Sequence, residues 1–448
     1  MDPSMMRRRL LTGTAAFAAF TSRPLIGAGA VIAAPANAQS AAIAVGGKPR
    51  SVRLTAPPSY DADQFSTFGG ATKSRLIQLP ADVDFVRLVF GNQTGSSFTL
   101  NAYIAPTARA GNGWAPYKAD GTVDTTLFRS VTFNGTGADR NPEDNPGTAA
   151  PLATIPANTA IFYSDWMRVS GTMPRIDSAD PQRLLLVRTA SQSGMGWGSH
   201  TNNIGLLTDP ANVGGVSACF SSRTSIATLT ASDFVADNYT HITGIQFVSR
   251  VPGYTVSYCG SSIVSGVTTT NGRSCFPRIA CHALSIATGV PFVAFANIAN
   301  GIPVTPLVAA STLVNIAASK PDFVLIQVAN RNDAHTVAQQ DITWRYVREI
   351  ADATTRNGGT PILVTCTPWP PANAPDAATD NIRQINNIRA RQSGLPCFDY
   401  DALLSDGGSP ARLLPIYNDT GDQTHPGNTG HAYAATFLAS LLRTLTTT

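Results

Sequence analysis

Short runs rich in β-branched and aromatic side chains recur between turn signals in the first half of the chain. They fall at 51–55, 74–79, 85–90, 98–104, 130–133, 161–169 and 184–189. Several alternate apolar and polar positions, as in Phe98-Thr99-Leu100-Asn101-Ala102-Tyr103-Ile104. A period of two is that of a strand with one face buried. No helical period interrupts these runs, so residues 39–250 are predicted to be all-β, a β-sandwich of which the jelly roll is one form. Two stretches, 135–150 and 191–216, are expected to be long loops, the second rich in Gly, Ser and Asn.

After residue 250 the pattern changes. Strands are predicted at 254–258, 291–296, 322–328, 361–365 and 397–400, and helices at 274–288, 307–319, 343–355, 381–392 and 430–445. Apolar strands alternating with helices belong to a parallel sheet covered on both faces. Residues 251–448 are therefore predicted to be an α/β domain, and a chain of 448 residues is long enough for two domains. In such sheets the site lies beyond the carboxyl ends of the strands.

Residues 1–38 have the character of an export signal. Arg7-Arg8-Arg9-Leu10-Leu11 precedes apolar stretches at 14–20 and 25–34, and Ala36-Asn37-Ala38 fits a small-residue cleavage site. Paired arginines ahead of two leucines resemble a bacterial twin-arginine signal. The competing reading is a membrane anchor, but Arg23 breaks the apolar run well short of the ~20 residues a span needs. The expectation is an exported protein, periplasmic or extracellular, with no membrane contact in its mature form.

Hydrophobic residues make up 43% of the chain and charged residues 13%, which favours packed cores over disorder. The net charge of +4 belongs mostly to the signal. Arg7, Arg8, Arg9, Arg23 and Asp2 are four of 32 basic and one of 28 acidic residues, leaving 28 and 27. A near-neutral surface argues against nucleic acid or an anionic membrane as partner. Six cysteines, Cys219, Cys259, Cys275, Cys281, Cys366 and Cys397, are compatible with disulfides or with buried free thiols. No Cys/His cluster has the spacing of a zinc site.

Three segments at strand ends or in the last loop carry candidate chemistry. In Tyr258-Cys259-Gly260-Ser261-Ser262-Ile263, a turn between strand and helix puts a serine hydroxyl at the sheet's mouth. It also puts that serine's N–H at a helix N-terminus, where negative charge is favoured. Capping serines in an ordinary turn explain the same residues. In Val328-Ala329-Asn330-Arg331-Asn332-Asp333, a side-chain amide can aim donors across the sheet edge, or the Asn and Asp can serve the turn itself. In Asp422-Gln423-Thr424-His425-Pro426, a carboxylate three residues before an imidazole can accept from one ring nitrogen and leave the other as base. A solvated His at a helix entry is the alternative.

Taken together, these segments resemble the blocks of the SGNH (GDSL-like) hydrolases over about 254–445. Gly260-Ser261-Ser262-Ile263 resembles the nucleophile block Gly-Asp-Ser-Leu/Ile, Asn332-Asp333 the third block, and Asp422-Gln423-Thr424-His425-Pro426 the Asp-x-x-His block. Gly301 is the best match for the second-block glycine. Two positions depart: Ser261 stands where the family has Asp, and Asn330 where it has Gly. The resemblance implies a three-layer α/β/α domain and acyl transfer. Ser262 would be the nucleophile, His425 the base, and Asp422 its orienting acid. Ser262, Gly301 and Asn332 would supply the oxyanion hole, with no metal or cofactor.

Trp197 and His200, in the 191–216 loop, and His335, close to Asn332, are candidates for substrate contact. Trp166 and Trp197 could also form a sugar platform, although core packing is the commoner role of Trp. The leading expectation is a secreted esterase acting on O-acyl, chiefly acetyl, groups of carbohydrate. A broad small-ester or lipid esterase and a non-catalytic glycan-binding protein are the alternatives.

Overall fold

The computed structural model describes residues 50–53, 65–68, 71–79, 83–92, 95–107, most of 116–133, 150–157, 159–169, 183–191, 194–198, 218–221, 235–236, 239–240, 242–249, 252–266, 269, 275–298, 306–329, 331, 333–368, 377–419, 421 and 424–447. The predicted signal at 1–38 and most of the 135–150 loop lie outside the described residues. Helices and strands combine into a mixed α/β structure with antiparallel sheets in the first half and one parallel sheet in the second.

In the first half, one sheet orders Arg50–Arg53, Ile242–Ser249, Val83–Asn92 and Thr159–Tyr163, with Met167–Arg168 also on Val83–Asn92. A second is built on Ala71–Leu79, Arg183–Ser191 and Phe98–Thr107. The alternation seen in the sequence has its expected use. Phe98, Leu100, Ala102 and Ile104 enter one buried cluster with Val86, Leu88 and Phe90 of the other sheet. Each of these side chains larger than alanine contributes roughly 1.5–3 kcal/mol on full burial. Val293 and Phe295, from the parallel sheet, belong to the same cluster, so the two halves share apolar packing.

The parallel sheet has five strands: β1 (Tyr254–Cys259), β2 (Phe292–Ile298), β3 (Phe323–Gln327), β4 (Thr360–Val364) and β5 (Cys397–Phe398). Their order is β2-β1-β3-β4-β5, with parallel pairing throughout. Between them run α1 (Ser262–Ser265), α2 (Phe276–Thr288), α3 (Pro306–Ser319), α4 (Val337–Arg356) and α5 (Ala377–Gln392), and α6 (Tyr400–Leu404) and α7 (Asn428–Thr447) follow the last strand. Both faces are covered. Tyr258, Leu325 and Val364 pack with Phe276 of α2 and Leu438 of α7, while Val324, Ile326 and Leu363 pack with Ile316, Val347 and Ala390 of α3, α4 and α5. That is why these strands are apolar on both sides. The order reverses at β1, with β2 on one side and β3 on the other, and a ligand crevice opens at such a reversal.

Several predicted elements change. The 161–169 run splits into Thr159–Tyr163 and Met167–Arg168, and 130–133 shortens to Arg129–Ser130. The 191–216 stretch is not all loop, because Gly194–Gly198 is a strand paired with Phe65–Phe68 and Tyr239–Thr240. Its three glycines hid it from a β-propensity reading. Helix α4 begins at Val337 rather than 343, capped by Thr336, whose hydroxyl accepts from Gln339 N. Its first buried positions are Gln340 and Thr343, which carry no apolar period. Trp166 is 1% exposed, with Arg87 4.6 Å above its ring, so it is packed in the structure and offers no platform to a sugar. Cys259, Cys275, Cys281, Cys366 and Cys397 are free thiols, and the side chain of Cys219 lies outside the described residues.

Candidate active site

Ser262 and His425 meet, with Ser262 Oγ 2.8 Å from His425 Nε2. Both side chains are half-buried, as a reacting pair at a crevice must be. Ser262 is the first residue of α1, directly beyond the carboxyl end of β1, so it sits where the strand order reverses. Its own N–H therefore lies at a helix start, among donors that an α-helix cannot satisfy internally.

The turn that presents Ser262 is fixed on all sides. Ser261 is the N-cap, extended at φ −90° and ψ −172°, and its hydroxyl accepts from Ile263 N at 3.3 Å. Gln327, the last residue of β3, is 5% exposed, and its Oε1 accepts from Ser261 N at 2.8 Å and from Ser261 Oγ at 3.0 Å. Its Nε2 donates to Ala329 O at 2.8 Å and to Cys366 Sγ at 3.2 Å. A methyl group at Gly260 would lie 2.6 Å from Gln327 Oε1, so only glycine admits this approach. Gly266 ends α1 at φ +77°, a left-handed conformation that other residues adopt at a cost.

His425 arrives on the loop between Pro415–Tyr417 and α7. Gly427 N donates to Tyr417 O at 3.0 Å, and Asp419 Oδ2 accepts from Thr429 N at 3.1 Å, in the first turn of α7. Thr424, beside His425, is 1% exposed and accepts at its hydroxyl from Arg331 Nη1. The loop after β3 is thus tied to the loop that carries the imidazole.

The remaining candidates divide. His335 is exposed and makes a 3.0 Å contact from Nε2 to the backbone oxygen of Arg331, the residue whose guanidinium donates to Thr424. Asp333 is buried and accepts from Thr343 Oγ1 at 2.9 Å, anchoring α4 beneath the same loop. Asp422, Gly301, Asn332 and His200 lie outside the described residues, as does the side chain of Trp197, whose backbone pairs with Phe65 and Thr240. Sequence reasoning missed Gln327, Arg331 and Thr424. Gln327 left a signal, since it is a long polar side chain inside an otherwise apolar buried strand, where a polar group requires partners.

Chemically, the Ser262–His425 bond is that of a hydroxyl with a base in position to take its proton. Ser261 is not equivalent, because its hydroxyl proton is directed at Gln327. His431, a second imidazole nearby, is fully buried on α7 and accepts from Phe276 N at Nδ1, so it packs and does not face the crevice.

No protein-family model matches the chain, and no curated protein matches it. Solved structures similar to it include a GDSL-like lipase from Bacteroides thetaiotaomicron, 19% identical over 43% of this chain and 87% of that one, with a TM-score of 0.30. A family two carbohydrate esterase from Cellvibrio japonicus is 10% identical over 89% and 95%, with a TM-score of 0.34. A lipase/acylhydrolase from Enterococcus faecalis is 17% identical over 42% and 93%, with a TM-score of 0.28. Likeness at this level carries no weight for substrate or activity; the weight rests on the pair formed by Ser262 and His425.

Proposed function

We propose that this chain is an exported serine esterase that removes O-acyl groups, chiefly acetyl, from carbohydrate. The observation that carries the reading is the 2.8 Å bond between Ser262 Oγ and His425 Nε2 at the reversal point of a parallel sheet. In this reading residues 1–38 are removed on export, 39–250 form a β-sandwich domain, and 251–448 form an SGNH-type α/β/α hydrolase domain.

His425 takes the proton of Ser262 as Oγ attacks the ester carbonyl. The developing oxyanion is met by the N–H of Ser262, with the N–H of Gly301 and the side-chain amide of Asn332 as further donors. Asp422 accepts from the other ring nitrogen and favours the imidazolium. His425 then protonates the leaving alcohol. Water, activated by the same imidazole, cleaves the acyl-enzyme and releases the acid.

The test compares acetate release from an acetylated polysaccharide with hydrolysis of nitrophenyl esters of short and long acyl chains. Acetate release from polymer and a preference for short chains are expected. Turnover of long acyl chains without acetate release would favour a lipid esterase. No hydrolysis, together with no labelling of Ser262 by a fluorophosphonate, would leave glycan binding as the reading.

A further inference from the structure

We propose that Gln327 is the positioning residue of the nucleophile turn, and that through Ser261 it sets Ser262 as the attacking serine. This role rests on the esterase reading above. Ala329 O can only accept, so the nitrogen end of the Gln327 amide must face it, and the oxygen end must face Ser261. That oxygen receives the N–H and the O–H of Ser261 together, at 2.8 and 3.0 Å. The Ser261 hydroxyl is then committed on both sides, donating to Gln327 and accepting from Ile263 N. The next residue is left to start α1 with its Oγ on His425.

The clamp is itself braced. Gln327 Nε2 reaches Cys366 Sγ at 3.2 Å, just past β4. Cys366 N donates to Asn387 Oδ1 at 2.8 Å, and Cys366 O accepts from Asn387 Nδ2 at 2.9 Å and from Arg383 Nη1 at 2.6 Å. Arg383 is fully buried and pairs with Asp380 and Asp401. A chain of fixed polar contacts therefore runs from α5 across two strand ends to the residue before the nucleophile. Displacement of about 1 Å at a reacting group can cost about 10²-fold in rate, so a clamp at this point has kinetic consequences.

The experiment uses the full chain and two variants. Gln327→Met removes all four contacts at nearly constant volume. Its rate of labelling by a fluorophosphonate, in which Ser262 Oγ displaces fluoride while His425 takes the proton, is expected to fall about 10- to 10²-fold. The turnover number should fall with it while KM changes little, the pattern of lost transition-state positioning. Gln327→Glu separates positioning from folding. As a neutral acid it keeps three of the amide's four contacts, with its single O–H on Ala329 O and its carbonyl accepting from Ser261 N and Oγ, and gives up only the donation to Cys366 Sγ; ionised, it loses the donor to Ala329 O as well. Its activity relative to wild type is expected to be near unity at low pH and to fall as pH rises. Wild-type labelling and turnover in folded Gln327→Met, or a pH-independent Glu-to-wild-type ratio, would overturn the role. If Gln327→Met does not fold, the ratio decides alone. A wild-type chain that the probe does not label would overturn the esterase reading itself.

Discussion

Ser262 Oγ and His425 Nε2 lie 2.8 Å apart across 163 residues of chain. Neither is brought there by its own neighbours alone. Ser262 is set by β1, by the clamp on Ser261 and by the short helix it begins, while His425 is set by the Pro415–Tyr417 turn, by α7 and by the contact from Arg331 to Thr424. Two independent supports converge on one hydrogen bond, which is the arrangement a proton transfer requires.

Ser262→Ala is expected to lower ester hydrolysis by about 10³-fold or more, because it removes the hydroxyl that stands 2.8 Å from His425 Nε2. The side chain is half-buried and its loss leaves no large cavity, so the unfolding temperature should stay close to that of wild type. Activity near wild type in the folded variant would dismiss Ser262 as nucleophile.

The parallel half of the fold was legible because its strands are buried on both faces and its helices keep an apolar period. The exceptions share a cause, which is burial of polar groups that periodicity does not register. Gln340 and Thr343 hid the start of α4, and Gln327 sat unremarked in β3. At the site, Ser262 and His425 were legible as motif residues. The clamp on Ser261 was not, since it depends on β3 lying beside β1, a pairing no local pattern specifies. In the β half, alternation exposed the long strands, while the glycine-rich strand at Gly194–Gly198 exists through its pairing with Phe65–Phe68.

Asn332→Ala is expected to lower the turnover number by about 10²–10³-fold with a smaller effect on KM, the usual consequence of losing one oxyanion donor. Steady-state kinetics on a soluble acetyl ester measure this. An unchanged turnover number would mean that the amide serves only the turn after β3.

Trp197→Ala tests whether its segment lines the substrate groove. Loss of activity on acetylated polymer with little change on a nitrophenyl acetate is expected, since an aromatic wall contributes to binding a sugar and not to acyl transfer. Equal activity on both substrates would assign Trp197 to the β half alone, through its pairing with Phe65 and Thr240.

His431 predicts how stability responds to acid. Burial, with His425 nearby and Asp419 opposing, pushes its imidazole down to about 3. Its ring lies 5.9 Å from that of Phe276 at an angle of 12°, and among the described residues its Nε2 has no hydrogen-bond partner to receive a second proton's charge. The unfolded chain takes up that proton near pH 6.5, the folded chain only near 3. Above about pH 6.5 the group contributes nothing to pH dependence. Below that, the unfolded state binds the extra proton, and stability falls as pH falls until about pH 3. At pH 4.5 this amounts to about 2–3 kcal/mol. His431→Gln keeps an acceptor for Phe276 N but does not titrate. It should therefore lose less stability than wild type between pH 7 and pH 4.5 in thermal unfolding, other groups titrating alike in both. Parallel losses in the two proteins would show that acid sensitivity arises elsewhere.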